Sequence, residues 1–243
     1  MRLIHLARPG PWRWLLGLVL LAAVGQAVHA AGAEPGPRVA LVIGNAAYRN
    51  APLSNPGNDA KAMAQQLEQL GFHVIRVQDG TQQQMFQAVR SFGDALRGGV
   101  GLFYFAGHGV QVKGRNFLIP VDAQIEREDE VPYKALDVGL VLEKMEAARN
   151  PLNIVILDAC RNNPFARGLR SAGSGGGLAQ MDAPSGSLVA FATAPGATAE
   201  DGRGANGLYT SHLLRQMAVP GLPTEEVFKR TRVAVKQESG GRQ

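Results

Sequence analysis

Short apolar runs of strand length alternate along the chain with segments whose apolar residues recur at helical spacing. Continuous apolar runs predict buried β-strands, and apolar residues three or four positions apart predict amphipathic helices. Gly71, for example, ends a helix that Asn58 or Asp59 can cap. The pattern predicts strands over residues 38–44, 72–77, 100–106, 152–157 and 187–194, helices over residues 60–70, 81–96, 138–148, 207–217 and 225–237, and a hairpin over residues 110–120.

Strands that alternate with helices and read as unbroken apolar runs are typical of a mostly parallel sheet with helices on both faces. The predicted fold class is therefore α/β. In such sheets, sites form beyond the carboxyl ends of the strands. We therefore expect the functional residues among the polar residues that follow the apolar runs.

Two of the predicted strands run directly into reactive side chains. The run VGLFYFAGHG delivers His108 between two glycines, and LNIVILDAC ends at Cys160, the only cysteine in the chain. Cys160 follows His108 by 52 residues, which is enough for a crossover helix between parallel strands. A thiol and an imidazole at the same ends of neighbouring strands predict a cysteine nucleophile with its base.

Each of these two residues also has a structural interpretation. A lone cysteine is often a small buried apolar residue or an intermolecular partner, and a lone histidine is more often part of the packed structure than of a site. For Cys160, the preceding Asp158 and the polar run Arg161–Asn163 argue against inert burial. For His108, the pairing of AGHG with DAC favours the catalytic interpretation.

The first thirty residues have the pattern of a secretory signal peptide. Three arginines precede an apolar run over residues 14–24, and Val28-His29-Ala30 fits a small-residue cleavage site. The alternative is an uncleaved membrane anchor, because residues 14–33 carry no charge and approach the ~20 residues that span a bilayer. Either interpretation predicts an exported domain, periplasmic or secreted. An unpaired cysteine in such an oxidising compartment is intermolecular, incidental or kept for its reactivity.

Composition and charge narrow the class of protein. The 243 residues, 45% of them apolar, suffice for one α/β domain of roughly 200 residues after the N-terminal segment. That segment contains three of the 25 Lys and Arg and none of the 20 Asp and Glu, so the remainder has a net charge near +2. There is no basic stripe with interleaved aromatic residues, so nucleic acid is not an expected partner.

Several other kinds of site find no support in the sequence. The five histidines are scattered and there is no second cysteine, so no metal site is expected. The chain lacks the G-x-S-x-G motif of an α/β-hydrolase. After the first strand it has IGNAAY rather than the G-x-G-x-x-G of a dinucleotide-binding protein.

The residues around His108 and Cys160 suit thiol catalysis. Cys160 must lose its proton near neutral pH, although a free thiol has a pKa of about 8.5. His108 can accept that proton and later donate one to a leaving amine. Gly107 and Gly109 allow a tight turn, and the Gly109 N–H, uncrowded by a side chain, can form a two-donor oxyanion hole with the Cys160 N–H.

Five segments surround these residues in a characteristic order. They are RVALVIGNAAY, PLSNPGNDA, FYFAGHG, VILDACRNNPF and FATAPG, and they cover about residues 38–217. In these segments the chain resembles the caspase-like (clan CD, peptidase C14) cysteine peptidases, specifically the bacterial metacaspase-like branch. A histidine about 50 residues before the cysteine is also the caspase spacing.

The resemblance implies a caspase-like three-layer sandwich, a cysteine-type endopeptidase and polypeptide substrates. A membrane is an expected partner only if the N-terminal segment stays uncleaved. No cofactor is expected. Metacaspases often need calcium, and calcium activation stays open here, although no Asp and Glu spacing matches a calcium loop.

The resemblance also implies how the domain is divided. The peptidase domain covers residues 38–243, with a p20-like part to about residue 167, a flexible Gly/Ser-rich loop over residues 168–187 and a p10-like part over residues 188–243. Bacterial relatives usually continue into one more aromatic-rich stretch beyond the segment that ends here at Gln243. The resemblance therefore leaves open that the sequence is a C-terminally truncated fragment.

Three acidic residues stand where the resemblance places specificity residues. Caspases that cut after aspartate have a glutamine at the position of Asp158 and an arginine at the position of Asp201. Metacaspases use the acid of the NDA motif, here Asp59, in the pocket for the P1 residue. Acidic side chains repel Asp and attract Arg or Lys. We therefore expect cleavage after Arg or Lys, although each acid could instead cap a helix or lie on the surface.

Two further expectations follow from this specificity. Arg167 and Arg170 lie just beyond the cysteine segment, so self-cleavage there is plausible for an enzyme that prefers basic residues. The alternative to an active peptidase is a catalytically inactive caspase-like module with a regulatory or binding role. The presence of both His108 and Cys160 argues against that alternative.

Overall fold

Five apolar runs form the parallel part of a sheet in the computed structural model, which describes residues 36–160, 178–193 and 204–243. In chain order the strands are β1 (Arg38–Gly44), β2 (His73–Gln78), β3 (Val100–Val112), β4 (Arg115–Leu118), β5 (Leu136–Asp137), β6 (Leu152–Cys160) and β7 (Ser187–Phe191). The parallel strands lie in the order β2-β1-β3-β6-β7. The far half of β3 continues into an antiparallel extension with β4 and β5.

Helices cover both faces of this sheet. Odd-numbered residues of β3, such as Phe103, pack with α2 and α4, and even-numbered residues, such as Tyr104, pack with α1, α5 and α6. This alternation follows from the two-residue period of a strand. The predicted three-layer α/β sandwich is confirmed. The helices are α1 (Pro56–Gln69), α2 (Gln82–Ala95), α3 (Val131–Lys134), α4 (Val138–Ala147), α5 (Leu208–Met217) and α6 (Thr224–Glu238).

Local sequence explains why two of these elements begin or turn where they do. Thr81 and Gln84 form a reciprocal capping box at the start of α2. Lys113 and Gly114, with φ of 50° and 76°, make the two-residue turn between β3 and β4. The hairpin predicted over residues 110–120 is thereby confirmed.

Among the element boundaries that differ from the sequence-based prediction, three have a clear physical cause. β3 continues through His108 to Val112 because its far half pairs with β4. β6 continues to Cys160 because it stays paired with β3 along its whole length. α1 begins at Pro56, where a first-turn proline needs no N–H partner, rather than at Asn58 or Asp59.

Several predicted features lie outside the described residues, namely the N-terminal segment over residues 1–30, Arg167, Arg170 and Asp201. The described part of the predicted loop, residues 178–186, contains neither helix nor strand. The described residues belong to one compact unit that spans residues 35–243. No helix within the described ranges has the length and apolar character needed to cross a membrane.

Candidate active site

His108 and Cys160 lie directly opposite each other on adjacent parallel strands. β3 and β6 pair residue for residue from Val100 and Leu152 to His108 and Cys160. Neighbouring strands of a sheet lie about 4.8 Å apart. The register therefore brings the two reactive residues of the sequence to one point of the sheet.

The His108 ring is buried, and its two nitrogens have different surroundings. Nε2 lies 2.7 Å from the Ala51 carbonyl oxygen, which can only accept, so Nε2 carries the proton and donates it. Nδ1 is buried and has no hydrogen-bond partner among the described residues. Burial lowers the pKa of His108, and the bond to Ala51 only partly offsets this effect. The ring is therefore neutral at pH 7, with the lone pair on Nδ1.

Tyr48 fixes the position of His108 in the strand. Its hydroxyl accepts from the His108 N–H at 2.9 Å and donates to the Ile119 carbonyl at 3.1 Å, so it bridges the two strands of the hairpin. The two rings also pack, with centroids 4.4 Å apart. Gly107, with φ of 153°, makes room for this contact, because a Cβ there would lie 2.6 Å from the Tyr48 hydroxyl.

The loop after β1, which carries Tyr48 and Ala51, is held by two polar side chains. Asp79 Oδ1 accepts from the backbone N–H groups of Ala46 and Ala47 at 2.8 and 2.9 Å. The amide of buried Asn45 accepts from the Gly80 N–H and donates to the Ile119 carbonyl. These contacts explain how the Ala51 carbonyl comes to lie against His108.

Gly109 follows His108 and fits closely against Ala159 and Leu178. The His108 carbonyl accepts from the Ile119 N–H at 3.0 Å, so His108 belongs to the bonded ladder toward β4. Successive N–H groups of a strand point to opposite sides, so the Gly109 N–H points to the side of β6 and Cys160. A Cβ at Gly109 would lie only 3.0 Å from Ala159 Cβ.

Asp59 and Asp158 lie together at the N-terminus of α5. A Cβ placed on Gly207, the residue before that helix, would lie 3.1 Å from Asp59 Oδ2 and 3.8 Å from Asp158 Oδ2. Asp59 is only 3% exposed and accepts 2.9 Å hydrogen bonds from the Gly207 N–H and the Asn206 amide. Two of the three predicted pocket acids are thus neighbours. Asp59 also binds the N-terminus of α5, which is the kind of contact expected of an acid that caps a helix.

Buried hydroxyl groups surround Asp158. Thr210 Oγ1 donates to Asp158 Oδ2 at 2.7 Å, and Tyr104 Oη lies 2.6 Å from Thr210 Oγ1. Burial raises the pKa of Tyr104 well above its usual value, and the negative charges of Asp158 and Asp59 raise it further. The pKa of Tyr209 is raised by burial and by Asp158. Both phenols therefore stay protonated at any working pH.

Asn116, a buried residue of β4, holds the segment that leads to β7. Its side chain donates to the Ala179 carbonyl at 2.8 Å and accepts from the Ala179 N–H at 2.7 Å. The adjacent Leu178 packs in the same core cluster as Ala159. This contact places residues 178–180 beside the end of β6.

The sequence patterns indicate His108, Cys160 and the pocket acids, but not the residues that contact and orient them, namely Tyr48, Ala51 and Thr210. Tyr48 lies just beyond β1, and a polar residue beyond the carboxyl end of a parallel strand is the signal that could have found it. Ala51 and Thr210 give no such signal. Their contacts are with residues 57 and 52 positions away, which only the folded chain brings close.

A family model described as the caspase domain matches residues 37–243. The chain belongs to the caspase domain family. It is a caspase-like member of the clan CD peptidases, as the resemblance in the sequence predicts, and this membership supports a cysteine-protease kind of function. Its assignment to the metacaspase-like branch stays a prediction.

Known proteins of this family show similarity over different lengths. The human mucosa-associated lymphoid tissue lymphoma translocation protein 1 is 40% identical over 126 residues, and its mouse homolog is 39% identical over the same length. The crystal structure of the Drosophila initiator caspase Dronc matches with a TM-score of 0.56 and 17% identity, over 82% of this chain and 72% of that one.

The extent of these matches limits what they establish. The human and mouse matches cover 51% of this chain, and they span 15% of the length of those two proteins. The likeness to the Drosophila caspase establishes the fold alone.

Proposed function

We propose that the protein is a cysteine-type endopeptidase in which Cys160 is the nucleophile and His108 is the base. The observation that carries the proposal is the pairing of His108 with Cys160 in the β3–β6 register. The buried His108 Nδ1, which has no partner among the described residues, supports it further. Buried polar atoms normally have a hydrogen-bond partner, and a thiol can be the missing donor.

The proposed reaction has two stages. His108 Nδ1 takes the proton of Cys160 Sγ, and the thiolate attacks the carbonyl carbon of the scissile peptide bond. The C–N bond then breaks, and the proton passes from His108 to the leaving amine. In the second stage water, deprotonated by His108, attacks the thioester, the S–C bond breaks, and the thiol is restored. The Ala51 carbonyl, 2.7 Å from Nε2, stabilises the ring while it is protonated.

The negative oxygen that forms during attack needs hydrogen-bond donors. We assign this role to the backbone N–H groups of Gly109 and Cys160. Gly109 directly follows His108, and His108 is paired with Cys160 across β3 and β6. The direction of the Gly109 N–H toward β6, and the close fit of Gly109 against Ala159, support the assignment.

The proposed preference is for Arg or Lys at P1. Asp59 and Asp158 supply two carboxylates at one point near the end of β6, and this proximity supports a pocket for a cationic side chain. Asp201, outside the described residues, is a third candidate for the same pocket. An aspartate side chain at P1 would meet repulsion there.

A peptide panel tests the proposal. We expect kcat/KM for P1-Arg and P1-Lys peptides to exceed that for the matched P1-Asp peptide by at least about a hundredfold, since like charges brought together cost several kcal/mol. Cys160→Ala should abolish turnover. A folded wild-type protein that cleaves none of the peptides would instead support a catalytically inactive caspase-like module.

Thiol and imidazole suffice for the proposed chemistry, so we propose that the reaction needs no cofactor. The same panel, repeated with EDTA and with added calcium, tests this point. Equal rates in the two conditions are expected. A rate that depends on calcium would show that a calcium site contributes to activity.

Self-processing and export complete the proposal. If Arg167 or Arg170 is cleaved, the intact mass of the wild type should show fragments that are absent from Cys160→Ala. Identical masses in both would exclude self-processing.

Export, with removal of residues 1–30 as a signal peptide, predicts that the mature N-terminus lies near Ala31 in the periplasm or medium. An intact N-terminus in a membrane fraction would support the anchor instead.

A further inference from the structure

We propose that Thr210 and Tyr104 are positioning residues that set the preference for a basic P1 side chain by fixing Asp158. This inference rests on the proposed function and extends it to the buried hydroxyl groups behind the pocket. Thr210 lies on α5 and Tyr104 on β3, and both are fully buried. Neither is an acid or a dyad residue.

When Asp158 is ionised, the Thr210–Asp158 and Tyr104–Thr210 hydrogen bonds each have a defined donor. A carboxylate has no proton to give, so the Thr210 hydroxyl donates to Asp158 Oδ2 at 2.7 Å. Thr210 has a single hydroxyl proton, so its 2.6 Å contact with Tyr104 requires the Tyr104 hydroxyl to be the donor. The result is a chain of two donors that ends on the Asp158 carboxylate.

Such a chain fixes the Asp158 carboxylate in advance of binding. Each hydrogen bond polarises the next, and the effect is stronger in a buried site than in water. The bond to Oδ2 also restricts the rotation of the carboxylate, so less conformational entropy is lost when a cation binds. A fixed carboxylate favours an ammonium or guanidinium group over an uncharged group of the same shape.

The chain also links the pocket to the elements that carry the dyad. Asp158 lies on β6 two residues before Cys160, and Tyr104 lies on β3 four residues before His108. Thr210 belongs to the first turn of α5, whose N-terminus Asp59 binds. The first turn and the N-terminus of α5 therefore hold both proposed pocket acids, Asp59 of α1 and Asp158 of β6.

Thr210→Val, which removes the hydroxyl and keeps the shape, tests the proposal. The measured quantity is the ratio of kcat/KM for a P1-Arg peptide to that for the same peptide with uncharged citrulline at P1. We expect this ratio to fall at least about tenfold, through a higher KM for the P1-Arg peptide, because a hydrogen bond to a charged group is lost. Thr210→Ser keeps the hydroxyl and should restore the wild-type ratio.

Thr231→Val is the matched control. Thr231 is equally buried, and its hydroxyl donates to the Val227 carbonyl within α6, so its loss should leave the ratio unchanged. An unchanged ratio in folded Thr210→Val, or an equal loss on both peptides, overturns the proposal. If Thr210→Val does not fold, Tyr104→Phe decides. A ratio lower by about threefold, the size of one neutral hydrogen bond, supports the proposal, and an unchanged ratio overturns it.

The wild-type measurement separates this proposal from the proposed function. Wild-type cleavage after Arg with unaltered selectivity in the variants rejects the positioning role alone. If the wild type cleaves neither peptide, or prefers citrulline, the proposed function fails, and the positioning role fails with it.

Discussion

Burial gives His108 the protonation state that a base requires. The ring donates from Nε2 to the Ala51 carbonyl, which leaves the lone pair on buried Nδ1. Its pKa is lowered because the buried environment disfavours the charged form. A histidine in this state can accept the proton of a thiol at neutral pH.

The lowered pKa of His108 predicts the acid side of the pH profile. Below its pKa the ring is protonated at Nδ1 and cannot accept a proton, so activity is lost as the pH falls. We expect kcat/KM to fall with a midpoint below the ordinary histidine value of 6.5. A midpoint above 6.5 would contradict the burial argument.

The same shift predicts how stability depends on pH. The unfolded chain binds a proton at His108 as the pH falls through 6.5, while the folded chain does so only at lower pH. The stabilising contribution of neutral His108 to the free energy of unfolding is therefore fully present above pH 6.5. It decreases as the pH falls below 6.5 toward the lower pKa of the folded state.

Tyr48→Phe tests whether the hydroxyl bridge orients His108. Without it the buried His108 N–H loses its acceptor, while the Ile119 carbonyl keeps the Asn45 amide as a donor, so the free energy of unfolding should fall by about 1–3 kcal/mol and kcat should fall with it. Tyr133→Phe, at a side chain that is 81% exposed, is the control and should change neither. Denaturant titration and steady-state kinetics measure both. If Tyr48→Phe keeps the wild-type free energy of unfolding and kcat, the hydroxyl bridge does not orient His108.

At this scale the sequence predicts residues whose chemistry is unusual for their position. His108 and Cys160 stand out because each follows directly on an apolar run of strand length. Tyr48 and Thr210 are ordinary residues for a loop and a helix, and their roles come from single contacts with distant residues. Those contacts depend on the register and on the packing of α5, which local patterns do not specify.

At the scale of elements, the N-terminus of α5 is the junction where Asp59 and Asp158, the two proposed pocket acids, lie together. Asp59 of α1 accepts two hydrogen bonds there, and its negative charge complements the positive end of the helix. The same carboxylate is a candidate for binding a basic P1 side chain. The structural and functional interpretations of Asp59 are therefore compatible.

Two substitutions separate these roles of Asp59. Asp59→Asn keeps an oxygen that can accept from Gly207 and Asn206, so the free energy of unfolding should stay near the wild-type value. The loss of charge should lower kcat/KM for P1-Arg peptides at least about tenfold. Asp59→Ala should also lower the free energy of unfolding by about 1–3 kcal/mol, because the buried Gly207 N–H and the half-buried Asn206 amide lose their acceptor. If Asp59→Asn keeps wild-type kcat/KM, Asp59 serves only to hold α5.

Element positions follow from the hydrophobic pattern, and element ends follow from pairing. The five parallel strands lie where the apolar runs predict them. The pattern misses the continuation of β3 to Val112, because that half is specified by its partner β4 rather than by its own composition. It also misses the start of α1 at Pro56, since the helical spacing begins only at Ala60.

At the scale of the whole molecule, the parallel sheet brings together residues that lie far apart in the sequence. Residues 108 and 160 meet because β3 and β6 are neighbours, and residues 59 and 158 meet because α1 and α5 cover the same face. The sequence predicts the first meeting from the carboxyl ends of parallel strands. The second depends on helix packing, and the sequence suggests it only through the family resemblance.

The most direct test of the account is covalent labelling of Cys160 by peptidyl chloromethyl ketones, followed by intact mass. In that reaction the thiolate displaces chloride and forms one S–C bond. We expect a single adduct on Cys160 with a P1-Arg reagent, much slower labelling with the matched P1-Asp reagent, and slow labelling of His108→Ala by the P1-Arg reagent. Equal labelling by both reagents, or a rate that His108→Ala does not change, would contradict this expectation.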